Sequence, residues 1–105
     1  MTNETKYRLG LISGHVCQMF NITPSDLFGK DRAMPINLAR NLAVYVLREM
    51  QDPDHKQLSF PEIAELLQRE SHSWAMRAYE NINNVPAFRI LAENLHCRVL
   101  KDLGA

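Results

Sequence analysis

Ser71, His72, Ser73, Trp74 and Arg77 fall within seven consecutive residues. They follow a polar interruption, Gln68-Arg69-Glu70-Ser71, and they precede apolar positions Ala75, Ala78, Tyr79 and Ile82 that recur at helical spacing. This spacing predicts a helix whose entrance carries the functional groups. Ser73 and Arg77 lie away from its apolar side, with His72 in the first turn and Trp74 on the flank. The chemistry available there is recognition of a nucleic-acid groove. Histidine donates or accepts at a purine edge, a serine hydroxyl serves either base, an indole rests on a thymine methyl, and arginine meets phosphate. Plainer roles compete at each position. His72 and Ser73 can cap the helix through its free N–H groups, and Trp74 stands at the edge of the apolar stripe, so core and groove placements are both open, with the groove favoured because Ala75, Ala78 and Ile82 already make a continuous stripe.

Catalysis finds no support in the residues. The carboxylates are scattered, there is no glycine-rich phosphate loop, and no serine has a histidine and an acid in a matching arrangement. His15 with Cys17, and His96 with Cys97, have spacings that fit no zinc motif. The expectation is a non-enzyme with no catalytic residue, no metal and no cofactor.

The elements that must position the entrance are all helical. Ser59 and Glu62 make the serine-x-x-glutamate pattern of a capping box with Pro61 in the first turn, and Ile63, Leu66 and Leu67 give that helix one apolar side. Leu58 to Ile82 therefore reads as a helix-turn-helix. Upstream, Leu9, Ile12, Val16 and Phe20 mark a helix from about Lys6 to Phe20, weakened by Gly10 and Gly14. Thr23-Pro24-Ser25-Asp26 starts a short helix that Gly29 closes. A basic loop, Lys30 to Met34, leads to a helix opened by Pro35, with Ile36, Ala39, Ala43, Val46, Leu47 and Met50 toward the core and Asn37, Asn41, Tyr45 and Arg48 outside. Arg40 lies beside that stripe, free to bond internally or to reach phosphate. After a polar loop from Gln51 to Gln57, and beyond the helix-turn-helix, Pro86 begins a last helix with Phe88, Leu91, Ala92, Leu95 and Val99 on its core face and Ile90, Cys97 and Leu100 off it.

The 105 residues make one domain, 1–105, too small to add an ATP-binding domain. Twelve Lys plus Arg balance twelve Asp plus Glu, so global charge gives no support for a polyanionic partner. Local charge can still do so if Lys30, Arg32, Arg40, Arg69 and Arg77 gather on one face, although Asp31 and Glu70 intrude. The absence of a long apolar run or a charged-then-apolar leader argues for a cytoplasmic chain with no membrane partner. Cys17 and Cys97 are distant, as in a protein with reduced thiols.

With the elements in this order, the chain resembles the C-terminal DNA-binding domain of the bacterial replication initiator DnaA. The likeness runs from about Leu9 to Leu100 and is carried by Phe20, Ile22, Asp26-Leu27, Gly29-Lys30-Asp31-Arg32, Leu38-Ala39-Arg40-Asn41-Leu42-Ala43, Leu47-Arg48-Glu49 and the Ser59–Leu67 stretch. The family signature, glycine-arginine-aspartate-histidine-threonine-threonine-valine-leucine-histidine-alanine, falls on Arg69 to Ala78. His72 and the Ser73 hydroxyl are kept; Glu70 replaces the arginine, Ser71 the aspartate and Trp74 the second threonine. The resemblance implies an all-α helical bundle of the DnaA C-terminal, Trp-repressor-like class. It also implies His72, Ser73 and Trp74 at base edges in the major groove with Ser71 beside them in the DNA-binding set, Arg32 in the minor groove, and Lys30, Arg40 and Arg77 at phosphates. The partner would be double-stranded DNA without any nucleotide, and the chain would be nucleoid-associated.

The reading that follows is sequence-specific binding of duplex DNA by a small transcription or replication regulator without ATPase activity. The alternative is a protein-interaction module that keeps the DnaA-like fold without binding DNA, pairing through the last helix, where Ile90, Cys97 and Leu100 offer a homodimer surface, or around Trp74.

Overall fold

The computed structural model describes residues 3–30, 33–50 and 57–104. Among them are six helices: α1 (Asn3–Phe20), α2 (Pro24–Phe28), α3 (Ile36–Glu49), α4 (Phe60–Leu66), α5 (His72–Asn83) and α6 (Pro86–Asp102). None is long and apolar enough to cross a membrane. The expected loop from Gln51 lies outside the described residues except for Gln57.

Local chemistry accounts for most helix ends. Thr23 and Ser59 each cap their helix through a full capping box, with Asp26 and Glu62 bonding back to the cap N–H at 3.0 and 3.1 Å. α1 and α4 close differently. Asn21 (φ 54°) and Gln68 (φ 59°) take the left-handed conformation, and the next N–H reaches back five residues, from Ile22 to the Cys17 carbonyl and from Arg69 to the Ala64 carbonyl. This closure usually employs glycine, and neither position announces it in the sequence. Gly29 is required for another reason: a Cβ there would stand 2.9 Å from the Ser25 carbonyl oxygen.

α3 is the hub, packing against all five other helices, with α5 its most extensive partner. Leu38, Ala39, Leu42, Ala43, Val44, Val46 and Leu47 are all buried, and so are Arg40 and Asn41. The expectation that Asn41 belongs to an exposed side is therefore corrected. An amphipathic reading presumes one broad solvent face, and a helix contacted by five neighbours keeps only half-buried positions such as Asn37 and Tyr45. Around it, Ile12, Val16, Ile63, Ile82, Leu95 and Val99 are fully buried. Ile90 and Leu100 on α6 remain 59% and 38% exposed, off the core face as their spacing predicts. Both thiols are free, Cys17 buried and Cys97 exposed.

One aromatic cluster ties the helix-turn-helix to α3. Tyr79 stacks on Tyr45 with ring centroids 4.9 Å apart, meets Phe60 edge-on, and donates its hydroxyl to Glu49. Arg48, expected outside, lies 4.3 Å over the Phe60 ring and donates to the Leu58 carbonyl at 2.6 Å. Burial first, and then the hydrogen bond to Glu49, push the Tyr79 phenol up to about 12. Because the folded value lies above that of a free tyrosine, the associated stability is complete below about pH 10 and is lost as pH rises from there toward about 12. Denaturation midpoints of the wild type should therefore fall across that window. In Tyr79→Phe the additional fall should disappear; an unchanged alkaline decline would contradict the assignment.

Candidate nucleic-acid interface

α5 starts where a serine can cap it. The Ser71 hydroxyl accepts the Ser73 N–H at 3.2 Å, so capping falls to Ser71 and the side chains of His72 and Ser73 remain exposed at the helix entrance. Arg77, one turn beyond Ser73, is exposed as well. The stripe that seats the helix is Ala75, Ala78 and Ile82, as the spacing predicts.

Trp74 occupies neither of its two expected placements completely. It is partly buried and packs against the core, and its other side lines a cleft. That cleft, about 260 Å³, is bounded by Lys30, Asn37, Arg40, Arg69, Trp74 and Arg77. A second of similar size continues along α3 and α5 past Asn37, Asn41, Trp74, Arg77, Ala78 and Asn81. A third, of about 370 Å³, runs back over the turn beside Lys30, Gln68, Arg69, Glu70 and Ser71. Trp74 and Arg77 belong to all three, which makes one continuous groove. Among the described residues Glu70 is the lone carboxylate along it. A chain of zero net charge thus concentrates cations on one side of its helix-turn-helix. The larger cleft, about 530 Å³ between α1 and α4, holds Glu62 and Glu65 against Lys6 and has the wrong sign for a polyanion.

Arg40, expected at phosphate, is 2% exposed; its Nε donates to the Leu27 carbonyl at 2.8 Å and Nη2 to that of Asp26 at 3.0 Å. It braces the end of α2 against α3, and only its edge reaches the cleft. The phosphate role is corrected on this ground, since a guanidinium held by internal carbonyls has few donors left for a ligand. Arg32 lies outside the described residues.

Sequence reasoning missed Asn37, Asn41 and Asn81 as groove walls and left Arg69 without a site role. The asparagines were legible only as a polar residue type. Arg69 sits in the turn, where its Nη2 donates to the Gly29 carbonyl at 2.5 Å, a contact spanning forty residues of chain.

The same stretch of chain is matched by the family described as the bacterial DnaA protein helix-turn-helix, over residues 10–82. The chain belongs to that family. Chromosomal replication initiator protein DnaA from Thermoanaerobacter sp. (strain X514) is 33% identical over 104 residues, covering 98% of this chain and 21% of the relative. The protein of the same name from Aliarcobacter butzleri is 32% identical over 105 residues, covering 94% and 23%. That from Gloeothece citriformis is 31% identical over 75 residues, covering 71% and 16%. The chain thus spans about a fifth of the length of these two full-coverage relatives, from Thermoanaerobacter and Aliarcobacter.

Proposed function

We propose that this chain binds double-stranded DNA in a sequence-specific manner and acts as a small, non-catalytic regulator of transcription or replication in the cytoplasm. The observation that carries the reading is the juxtaposition of an exposed helix entrance, His72 and Ser73, with a groove walled by Lys30, Arg69 and Arg77. α5 would lie in the major groove with its first turn at base edges. Lys30 and Arg77 would hold phosphates on either side, and Arg32 would enter the adjoining minor groove. Ser71 orders the entrance by capping it, a role that leaves its own base contact secondary. The relatives' names as replication initiators support a DNA partner for the shared domain.

Counterion release supplies the test. With roughly four to six phosphates contacted, log affinity for a selected duplex should fall against log salt with a slope of about −4 to −5. A flat response, or no duplex bound at low salt after selection from random oligonucleotides, would sink the reading. It would favour instead an interaction module pairing through the exposed Ile90, Cys97 and Leu100 of α6, detectable as a homodimer by sedimentation.

A further inference from the structure

Arg69 stands where the family signature begins with glycine, and Trp74 where it has its second threonine. The structure brings these two departures together. The Arg69 guanidinium carbon lies 5.2 Å from the centroid of the Trp74 ring, while Nη2 donates to the Gly29 carbonyl and the buried Nε has no hydrogen-bond partner among the described residues. The backbone holds it too, since the Arg69 N–H closes α4 on the Ala64 carbonyl at 2.7 Å. A long, flexible cation has thus been fixed in the turn between the two helices. Its remaining donors border the clefts shared with Lys30 and Arg77.

A structural tie alone would not need a charge at this place. Gly29 offers a neutral carbonyl, and among the described residues no carboxylate bonds to Arg69. Placing the guanidinium beside Lys30 and Arg77 raises a local positive field that costs stability until an anion enters. A planar fork is suited to phosphate oxygens, and a stacked one loses little freedom on engaging them.

We propose that Arg69 binds a backbone phosphate of the duplex, and that Trp74 is its positioning residue. The inference rests on the duplex-binding reading and adds to it a contact from the turn itself. Arg69→Gln removes the charge and, being two bonds shorter, gives up the Gly29 bond and the stacked plane as well, so thermal melting should fall by about 4–8 °C, the cost of about one hydrogen bond, and binding is read below that transition. Affinity for the selected duplex should fall roughly tenfold at low salt, as for a lost hydrogen bond to a charged group. The salt slope should become shallower by about 0.9, the value of one phosphate. An unchanged slope in a folded, binding variant would overturn the phosphate contact and leave the duplex-binding reading standing; a wild type blind to duplex would remove both.

Positioning is read from a double-mutant cycle. Trp74→Thr should weaken binding in the wild-type background and have little further effect once Arg69 is Gln. Equal losses in both backgrounds would overturn the positioning role. Should Arg69→Gln fail to fold, Arg69→Lys gives the same decision. It should keep the wild-type slope, and Trp74→Thr should cost less than in the arginine background, because an ammonium has no plane to stack and keeps only its cation–π attraction; a full Trp74 effect in the lysine background would overturn the proposal.

Discussion

Arg40→Met is expected to destabilise the domain by about 3–5 kcal/mol, as removal of one side of a buried charged hydrogen-bond set does. The side chain is 2% exposed and donates to the carbonyls of both Leu27 and Asp26. Methionine fills much of the space but leaves the Leu27 carbonyl in a dry site without its donor. With total stabilities of about 5–15 kcal/mol for domains of this kind, such a loss approaches unfolding. Arg40→Lys should rescue little, because one compact ammonium cannot serve both carbonyls in the geometry of a planar fork. Urea denaturation of the three proteins decides the matter. A loss below about 1 kcal/mol for Arg40→Met, the level of an ordinary surface substitution, would return Arg40 to a solvent-facing role.

What could be read from the sequence, and what could not, divides along a physical line. Features set by a few consecutive residues were legible: the helix start at Thr23, the capping box at Ser59, the helix-turn-helix from Leu58 to Ile82, and the exposed entrance at His72 and Ser73. The start of α1 was placed about three residues late, since no apolar residue marks its first turn and the helix begins at Asn3. Features set by tertiary enclosure were not legible. Asn41 is 6% exposed because α3 is surrounded, and hydrophobic periodicity describes only a helix with one wet side. Arg40 was ambiguous for the same reason: its type suits phosphate, and only the position of the α2 carbonyls shows where its donors go. Trp74 shows a third limit. Its position on the edge of a stripe was evident, but the partner that decides its role, Arg69, acquires its orientation from Gly29, forty positions earlier.

Zero net charge illustrates why composition is a weak guide to partners. Among the described residues, most carboxylates lie away from the cations of the groove, which Glu70 alone joins: Glu62 and Glu65 sit on the α1–α4 side, Glu49 is engaged with Tyr79, and Asp26 serves the α2 cap. The balance of twelve against twelve therefore hides a segregated surface. Steering of a polyanion depends on that segregation and on salt within a Debye length of about 8–10 Å, not on the sum.

Ile82→Ala should cost about 3–4 kcal/mol, within the range for large-to-small changes at fully buried sites, and lower the melting temperature by roughly 12 °C or more. The reason lies in how α5 is anchored. Its buried stripe consists of Ala75, Ala78 and Ile82, so two of the three anchors contribute little apolar area and Ile82, at 0% exposure, is the large one. Tyr79 and Trp74 flank the stripe but remain partly exposed. Small residues at positions 75 and 78 let α5 approach α3 closely, which suits its extensive packing there, and they leave the far end of the helix dependent on a single side chain. The change removes no group from the groove. Binding of the selected duplex at temperatures below the new transition should therefore keep its salt slope, whereas Arg69→Gln should change the slope and lower melting far less. A shift of only a few degrees in Ile82→Ala would mean that Tyr79 and Trp74, with Glu49 and Arg69 behind them, carry the seating of the recognition helix instead.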